Sequence, residues 1–359
     1  MLRLLSLGVL LFLTTTARAD KLVLFAGGGA EPGNGPATKV KLNEPFGIEF
    51  DKVGNAYVVE MSNRFLKIDP SGMLTVIASG KGGAGADVPA AKATFNGPHN
   101  LAIPAGGDEV FIADTWNGSV RKFDPKSNVI ASVAGLPYLE GKRVYQYDGD
   151  GGPATKAKFS GIYCVAFNPA GDKLYITDLE NRRIRVLNVK TGQVDLVAGN
   201  GKGGVPKDGS IAKESPLVDP RACAVDKKGN VYILERGGHA LRVVDADGKI
   251  RTVVGTGKAG LSGDGGPGTA AMLNGPKHLV VDPQGDVIIA DSANHVIRKF
   301  SPTTGLITRV AGSGTKGASG DGGDALTVSM NEPHGVYVHP DGSLFIVDSK
   351  NGRIFRMAR

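Results

Sequence analysis

Cysteine is scarce in this sequence. The chain has 359 residues, and two of them are cysteines, Cys164 and Cys223. A small secreted scaffold that depends on disulfides has several cysteines in a short chain, so this composition excludes that class. What the two thiols do depends on where the fold places them.

Long apolar runs are absent after residue 13. The run at residues 4–13 is too short to span a bilayer, which takes about 20 residues. It follows Arg3 and precedes Ala17-Arg18-Ala19, the small-x-small pattern of a signal-peptide cleavage site. The sequence therefore predicts a cleaved signal peptide at residues 1–19, a secreted or periplasmic mature chain, and no transmembrane segment.

A large excess of one charge is also absent. Without residues 1–19, 40 basic residues stand against 35 acidic ones, which gives a net charge of +5. Because these residues are dispersed along the chain, the charge indicates solubility rather than a binding surface. Nucleic acid is therefore not expected as a partner, since its recognition uses a clustered basic patch.

Glycine and proline are abundant, with 53 and 20 residues, and they separate short apolar runs. In residues 149–199, the four runs CVAF, KLYIT, RIRVLN and VDLVA are separated by Asn-Pro-Ala-Gly-Asp, Asp-Leu-Glu-Asn and Lys-Thr-Gly. All three connections have turn-forming chemistry, and each run has the length of a strand. The pattern predicts a four-stranded antiparallel meander.

The same unit recurs six times along the chain. Its landmark, just before the first apolar run, lies at Pro45, Pro98, Ile162, Pro220, Pro276 and Pro333. The second runs end at Glu60, Asp114, Asp178, Glu235, Asp291 and Asp348. Four-stranded repeats of this period are typical of radial propellers. We predict an all-β fold, a six-bladed β-propeller with four-stranded antiparallel blades, as a single domain over residues 20–359.

The two ends of the chain complete one repeat. The last repeat stops at Arg359 after its third strand, and residues 21–27, KLVLFAG, match the outer strands of other repeats. The N-terminal strand is therefore predicted to close the ring by pairing with the C-terminal one.

The cysteines fall in the first strands of neighbouring repeats, one position out of register. Inner strands of adjacent blades diverge too far for the geometry of a disulfide. We therefore expect Cys164 and Cys223 to be buried free thiols.

These features resemble the NHL-repeat β-propeller family. Its hallmarks are a Gly-Asp-Gly-Gly-Pro-Ala-Thr loop, a Gly-Pro-led strand, an Asp-x-x-Asn-x-x-Ile/Val-Arg segment and a final Val-Ala-Gly. Residues 149–155 carry the whole loop, and residues 263–266 and 320–323 repeat its first half. The resemblance covers essentially all of the chain after residue 19, although repeats 1 and 4 lack the loop.

The recurring polar residues indicate structural roles. Short Asp and Asn side chains accept backbone N–H bonds in turns. The Gly-Asp-Gly-Gly loops have neither the lysine nor the following helix of a phosphate loop. Calcium at Asp150, Asp264 or Asp321 stays open, without an evident set of ligands. Periodic basic residues are expected on the blade surface, at Lys67, Arg121, Arg185, Arg242 and Arg298.

A candidate ligand site lies where the repeats differ at equivalent positions. The residue after each landmark begins the inner strand near one mouth of the central channel, and it reads Phe46, His99, Tyr163, Arg221, Lys277 and His334. Asn100 and His278 stand next to this set. Aromatic, imidazole and cationic groups that converge in one funnel suit an anionic or polar ligand. An ordinary solvated channel is the alternative.

A second candidate is the long connection at residues 136–148. It combines aromatic with basic residues, at Tyr138, Lys142, Arg143, Tyr145 and Tyr147. Aromatic anchors beside arginine are favoured in contact surfaces, so this partner loop is a candidate docking edge or lid.

Three classes of function follow. The leading hypothesis is a monomeric binding scaffold for an extracellular or periplasmic protein, peptide or glycan. The resemblance also implies an enzyme similar to the peptidyl-α-hydroxyglycine α-amidating lyases, with zinc held by axial histidines, here His99 and His334. It implies more weakly a propeller lactonase with an axial calcium. Arg221 takes the third corner of the triangle that alternate blades form, and arginine cannot ligate a metal.

Overall fold

The computed structural model describes residues 20–83, 87–136 and 146–358, which fold into six antiparallel sheets around a central axis. Blade 1 runs from the inner to the outer edge as Pro45–Phe50, Ala56–Glu60, Phe65–Ile68 and Met73–Ala78. Blade 2 runs as Asn100–Ala102, Val110–Asp114, Ser119–Asp124 and Val129–Ala134. Blade 3 runs as Ile162–Phe167, Lys173–Asp178, Arg183–Asn188 and Gln193–Ala198.

The second half of the ring repeats this order. Blade 4 runs as Pro220–Val225, Val231–Glu235, Ala240–Val244 and Lys249–Val254. Blade 5 runs as His278–Val281, Val287–Asp291, Val296–Phe300 and Ile307–Ala311. Blade 6 runs as Gly335–Val338, Leu344–Asp348, Arg353–Ala358 and Lys21–Gly27. The predicted six-bladed β-propeller is confirmed.

Four blades have one strand more than the prediction. A two-residue strand pairs with the outer strand of blades 1 to 4, at Gly35–Pro36, Val88–Pro89, Gly152–Pro153 and Ser210–Ile211. In blades 5 and 6 the equivalent contact is a single bridge, Pro267 to Leu306 and Lys21 to Asp324. The turn-rich segment before each inner strand therefore docks against the outer edge of its own blade.

The smaller elements lie between the blades. Gly80–Lys81 pairs in parallel with Thr94–Phe95. Single turns of 3₁₀ helix occur at Ala90–Lys92, Thr115–Asn117, Ala154–Lys156, Ala212–Glu214, Gly268–Ala270, Ser292–Asn294 and Ser349–Asn351.

The core lies between neighbouring blades. Second strands such as Val110–Asp114 and Val287–Asp291 are buried at every position, because both faces of each sheet pack against another blade. Outer strands instead alternate, as in Gln193–Ala198, where Val194 is buried and its neighbours are exposed. The continuous apolar runs of the sequence thus form second strands, whereas the alternating runs form outer strands.

Ring closure by the N-terminal strand is confirmed. Lys21–Gly27 pairs antiparallel with Arg353–Ala358 over six residue pairs, with one bulge between Leu24 and Ala26. The segment is also bound on its other side, since Asp321 Oδ1 accepts from the Leu24 amide at 3.0 Å and Gly323 O accepts from the Leu22 amide at 3.1 Å. Both edges of the strand are therefore held.

The recurring spacing of aspartate, asparagine and arginine within a blade builds one buried network. In blade 5, Asn294 Nδ2 donates to Asp291 Oδ2 at 2.8 Å and to Gly260 O of the preceding loop at 2.7 Å. Asp291 Oδ1 accepts from the Asn274 amide at 2.8 Å. Blades 2, 3 and 6 repeat this arrangement through Asn117, Asn181 and Asn351. The network fastens each interblade loop to its blade.

The expectation that the periodic arginines lie on the blade surface is wrong. Arg121, Arg185 and Arg298 are fully buried, and Arg242 is 3% exposed. Arg298 donates to Asp264 Oδ1, Met272 O and Ser262 O at 2.8 to 3.0 Å. The arginine therefore ties the Gly-Asp-Gly-Gly loop to the blade, and Asp264 is occupied as its counter-charge. Lys67 is half-buried.

The two cysteines are buried and free, as predicted. Cys164 Sγ lies 3.7 Å from the backbone oxygen of Cys223, so the thiol contacts the neighbouring inner strand through its main chain.

Candidate functional site

The residue just before each landmark has a positive φ. The resulting bend directs the residues that follow toward the channel. This φ lies between 49° and 133° in all six blades, at Glu44, Gly97, Gly161, Asp219, Gly275 and Glu332. Glycine adopts this conformation freely, whereas Asp219 at 133° and Glu332 at 49° are held in it at a cost. Three of the six positions thus have an acidic residue, at Glu44, Asp219 and Glu332, in a backbone conformation that glycine adopts more readily.

The six residues that were predicted to line one end of the central channel lie together in a ring. We call this ring the channel mouth. The Phe46 ring is stacked on His99 with centroids 4.8 Å apart and meets His334 edge-on at 4.2 Å. His99 meets the Tyr163 ring at 4.6 Å, and the Arg221 guanidinium lies 4.0 Å above that ring. Lys277 Nζ lies 2.9 Å from His334 Nε2. The two cations, Arg221 and Lys277, are therefore neighbours in this ring.

Asn100 and His278 form the floor of the channel mouth. They belong to blades 2 and 5, which are opposite in a six-membered ring, and Asn100 Nδ2 lies 3.0 Å from His278 Nε2. Asn100 Oδ1 accepts from the Val165 amide at 2.9 Å. Both ends of the Asn100 amide are therefore engaged with protein groups, and this pair spans the channel.

The two mouth histidines are neutral at pH 7. Burial lowers the pKa of His99 well below its usual value, and Arg221 and Lys277 lower it further. The pKa of His334 is also well below its usual value, because of burial first and then of the charges of Lys277 and Arg221. Each Nδ1 faces a backbone oxygen, Gly97 O at 2.7 Å and Glu332 O at 2.9 Å, so each ring donates there.

The residues present do not fit a resident zinc or calcium ion. The Phe46 ring lies against both His99 and His334, and His334 Nε2 already accepts from the Lys277 ammonium. In the described ranges no three His, Cys, Asp or Glu side chains are grouped so that they could hold a metal. Zinc at His99 and His334 thus stays a prediction that this geometry does not favour.

Arg221 is the least satisfied group at the channel mouth. It is 5% exposed, and its Nε and Nη1 atoms make no hydrogen bond to any described residue. Burial lowers the pKa of Arg221 to about 10, which still leaves the side chain charged at neutral pH. Lys277 and Arg236 are paired, with Glu332 at 2.8 Å and Asp219 at 2.8 Å. Arg221 therefore has hydrogen-bond capacity that a ligand would satisfy.

Sequence reasoning missed four residues of this site. Glu332, Asp219 and Arg236 set the charge balance around Arg221 and Lys277, as the ion pairs above show. Trp116, the one tryptophan of the chain, meets the His99 ring edge-on at 5.3 Å. Acidic residues stand just before three of the landmarks, at Glu44, Asp219 and Glu332, and this was a signal that could have found Glu332 and Asp219.

Most of the predicted partner loop lies outside the described residues, including Tyr138, Lys142, Arg143 and Tyr145. Tyr147 is described. Its ring lies 3.6 Å from the guanidinium of Arg183, and its hydroxyl donates to Asp150. Tyr147 thus packs on blade 3 while it remains partly exposed.

The neutral histidines predict a loss of stability in acid. The unfolded chain protonates histidine near pH 6.5, whereas buried His99 and His334 resist protonation, so the unfolded state binds more protons below that pH. We expect the free energy of unfolding, from urea titrations, to fall between about pH 7 and about pH 5 by on the order of 1 kcal/mol per histidine.

The double variant His99→Gln/His334→Gln should flatten this dependence, whereas the turn variant His339→Gln should leave it in place. An equal pH dependence in the double variant and the parent would show that the mouth histidines do not cause it.

Known family models match most of the chain in separate pieces. A model of the teneurin NHL domain matches residues 84–262, and a model of the NHL repeat matches residues 273–300 and 330–357. The pieces cover blades 2 to 6 and follow the repeats that the structure shows.

Similar proteins are longer than this chain. NHL repeat-containing protein 2 of Homo sapiens is 25% identical over 348 residues, 86% of this chain and 46% of that protein. The protein SUPPRESSOR OF QUENCHING 1, chloroplastic, of Arabidopsis thaliana is 27% identical over 274 residues, 73% of this chain and 25% of that protein. The chain therefore spans less than half of the length of either relative.

A solved structure shares the fold at low identity. It is described as an auxiliary nutrient binding protein from Bacteroides thetaiotaomicron VPI-5482, has a TM-score of 0.68 and 17% sequence identity, and covers 94% of this chain and 76% of that one. Over the residues that the structure describes, no helix has both the length and the apolar character needed to cross a membrane.

Proposed function

For this chain, which belongs to the NHL-repeat β-propeller family, we propose an exported binding scaffold that takes up an anionic group of its ligand at the channel mouth. The single observation that carries the proposal is the buried Arg221 guanidinium, whose Nε and Nη1 atoms make no hydrogen bond to any described residue. Leaving such donors unsatisfied costs about 1–3 kcal/mol, and more for a charged group. A bound anion recovers this cost.

The ligand group that fits best is a carboxylate. Arginine presents a planar fork that matches two carboxylate oxygens, and hydrogen bonds between charged groups are roughly twice as strong as neutral ones. The aromatic wall of Phe46, Tyr163 and Trp116 offers apolar surface to the rest of the ligand. A peptide terminus or an acidic glycan of the extracellular or periplasmic space has both features.

The surrounding side chains favour binding over chemistry. Glu332 and Asp219 are occupied by Lys277 and Arg236, so neither is free to act as a base. The Asn100–His278 pair fills the floor, and the described residues of the site include no group of three side chains that could hold a metal. The lyase and lactonase hypotheses have no observation of this kind in their favour.

The proposal is tested by titrating the fluorescence of Trp116, which reports on the mouth because it lies against His99. The probes are peptides with a free or an amidated C-terminus, and uronate oligosaccharides with free or methyl-esterified acids. We expect binding of the free acids, and roughly 10- to 100-fold weaker binding to Arg221→Met, since a charge-assisted hydrogen bond contributes about 1.5–3 kcal/mol.

Arg251→Gln is the matched control, because Arg251 is an exposed cation on an outer strand. Arg221→Met breaks no hydrogen bond to Nε or Nη1 but loses the contact with the Tyr163 ring, so its melting temperature should be only slightly below that of the parent. Equal affinities for the free acids and their neutral forms would contradict the proposal, as would unchanged binding by Arg221→Met.

The partner loop gives a separate prediction. If it is a docking edge, the variant Tyr138→Ser/Arg143→Ser/Tyr145→Ser should capture fewer proteins from the extracellular or periplasmic fraction, at an unchanged melting temperature. Tyr147→Ser should instead lower the melting temperature slightly, because its ring packs on Arg183. Equal capture by the triple variant and the parent would remove the loop from the functional account.

A further inference from the structure

The opposite end of the channel has a cavity whose lining includes the acidic residues Glu49 and Asp51. Its volume is about 530 Å³, and it is lined by residues of blades 1, 2 and 6, among them Glu49, Phe50, Ile103, Tyr337 and His339. Glu49 and Phe50 end the inner strand that begins at the channel mouth, so this distal pocket lies a strand length away from Arg221.

The walls of the distal pocket are aromatic. Phe50 and Tyr337 are stacked with centroids 5.5 Å apart, and His339 meets Phe50 edge-on at 5.1 Å. Phe345 packs behind them, 4.7 Å from Phe50. Rings packed against one another in this way give the pocket a rigid wall.

Glu49 is the uncommitted acid of this pocket. Its pKa is raised well above the usual value by burial and, secondarily, by the Cys164 thiol across the channel, and no hydrogen bond within the described part of the chain opposes that shift. The neighbouring Asp51 is occupied, because its carboxylate accepts from the amides of Val53 and Asn55 and from Asn55 Nδ2.

The cations nearby do not neutralise Glu49. Lys52 also lines the pocket, but its side chain is half exposed and its ammonium pairs with Asp108 at 3.6 Å. His339 Nδ1 faces Asp341 Oδ1 at 3.0 Å. The titratable groups around Glu49 are therefore Cys164, Tyr337, Asp51, Lys52 and His339.

We propose that the distal pocket binds a compact organic cation, an alkylated or primary ammonium group, with Glu49 as its counter-charge and the rings of Phe50 and Tyr337 as its walls. Ammonium groups bind to aromatic faces through the ring quadrupole, most strongly where water is excluded. This site is separate from the channel mouth and does not depend on the function proposed for it. The channel would thus carry an anion site at one end and a cation site at the other.

The test is calorimetric titration of the full mature protein with tetramethylammonium, with neutral tert-butanol as its isostere. We expect the parent to bind the cation in preference to the alcohol and Glu49→Gln to bind it at least about tenfold more weakly. Glu214→Gln, the same change at an exposed site, should bind like the parent. Arg221→Met should also bind the cation like the parent. The proposal for the distal pocket can therefore fail without the proposal for the channel mouth failing, and the reverse.

The dependence on pH gives a second readout. Since the cation binds the ionised form of Glu49, its affinity should weaken by up to about tenfold for each pH unit below the pKa that Glu49 has in the free protein. If Glu49→Gln does not fold, as judged by circular dichroism, Phe50→Leu tests the aromatic wall and should also weaken binding. Equal binding of tert-butanol, undiminished binding by Glu49→Gln or Phe50→Leu, or no binding by the parent would overturn the proposal.

Discussion

Deletion of residues 21–27 is expected to destabilise the whole propeller. The segment supplies the fourth strand of blade 6, and Leu22 lies fully buried in the core between blades 5 and 6. Its removal leaves the backbone groups on one edge of Arg353–Ala358 unpaired and opens the ring. The loss of stability therefore spreads to the neighbouring blades. Thermal unfolding should begin at a much lower temperature, and size-exclusion chromatography should show association through the open edge.

A circular permutant is the matched control for this deletion. Lys21 is the pairing partner of Ala358, so a tight Asn-Gly turn can join the C-terminus to residues 21–27 in the same antiparallel register. We expect a permutant that begins at Gly28 and ends with this strand to recover the stability of the parent. A truncated chain that melts like the parent and stays monomeric would refute ring closure by this strand.

Replacement of Arg298 by alanine should produce the second large effect. Its guanidinium is fully buried, pairs with Asp264 and Asp291, and donates to two loop carbonyls. Breaking a buried ion pair by removing one partner costs about 3–5 kcal/mol, because the other charge is left uncompensated. The free energy of unfolding in urea should fall by that amount.

Arg251→Ala removes an exposed arginine from an outer strand and should change stability by less than about 0.5 kcal/mol. A similarly small loss in Arg298→Ala would mean that the loop and blade are held together by other contacts. The same contacts recur in blade 3, where Arg185 pairs with Asp150 and donates to Lys158 O and Asp148 O, so a comparable cost is expected for Arg185→Ala.

The architecture was predictable from the sequence because its signals are local. Apolar runs of strand length and turn-forming connections recur with one order of landmarks, and the unpaired N-terminal run could pair only with the unfinished last repeat. The two-residue strands at the outer edges were not predicted, since Gly-Pro and Ser-Ile pairs carry no strand pattern. They form because the preceding loop lies against the blade.

The candidate site was predictable in its position but not in its chemistry. The shared position just after each landmark, where an inner strand begins, placed Arg221 and its equivalents at the mouth. The sequence could not show that Arg298 and its equivalents are buried, because the loops that cover them approach from another part of the chain. Glu49 was missed for a related reason, since its isolation depends on what blades 2, 3 and 6 place around it.

The proposed function depends on the binding of an anion by Arg221 at the channel mouth. Crystals of residues 20–359 soaked in selenate offer the most direct measurement, because the anomalous signal of selenium locates the anion. The account predicts a selenium peak whose oxygens lie within hydrogen-bond distance of Arg221 Nε and Nη1, and no peak there in Arg221→Met. Selenate bound only at other positions, with the Arg221 guanidinium still unpartnered, would contradict it.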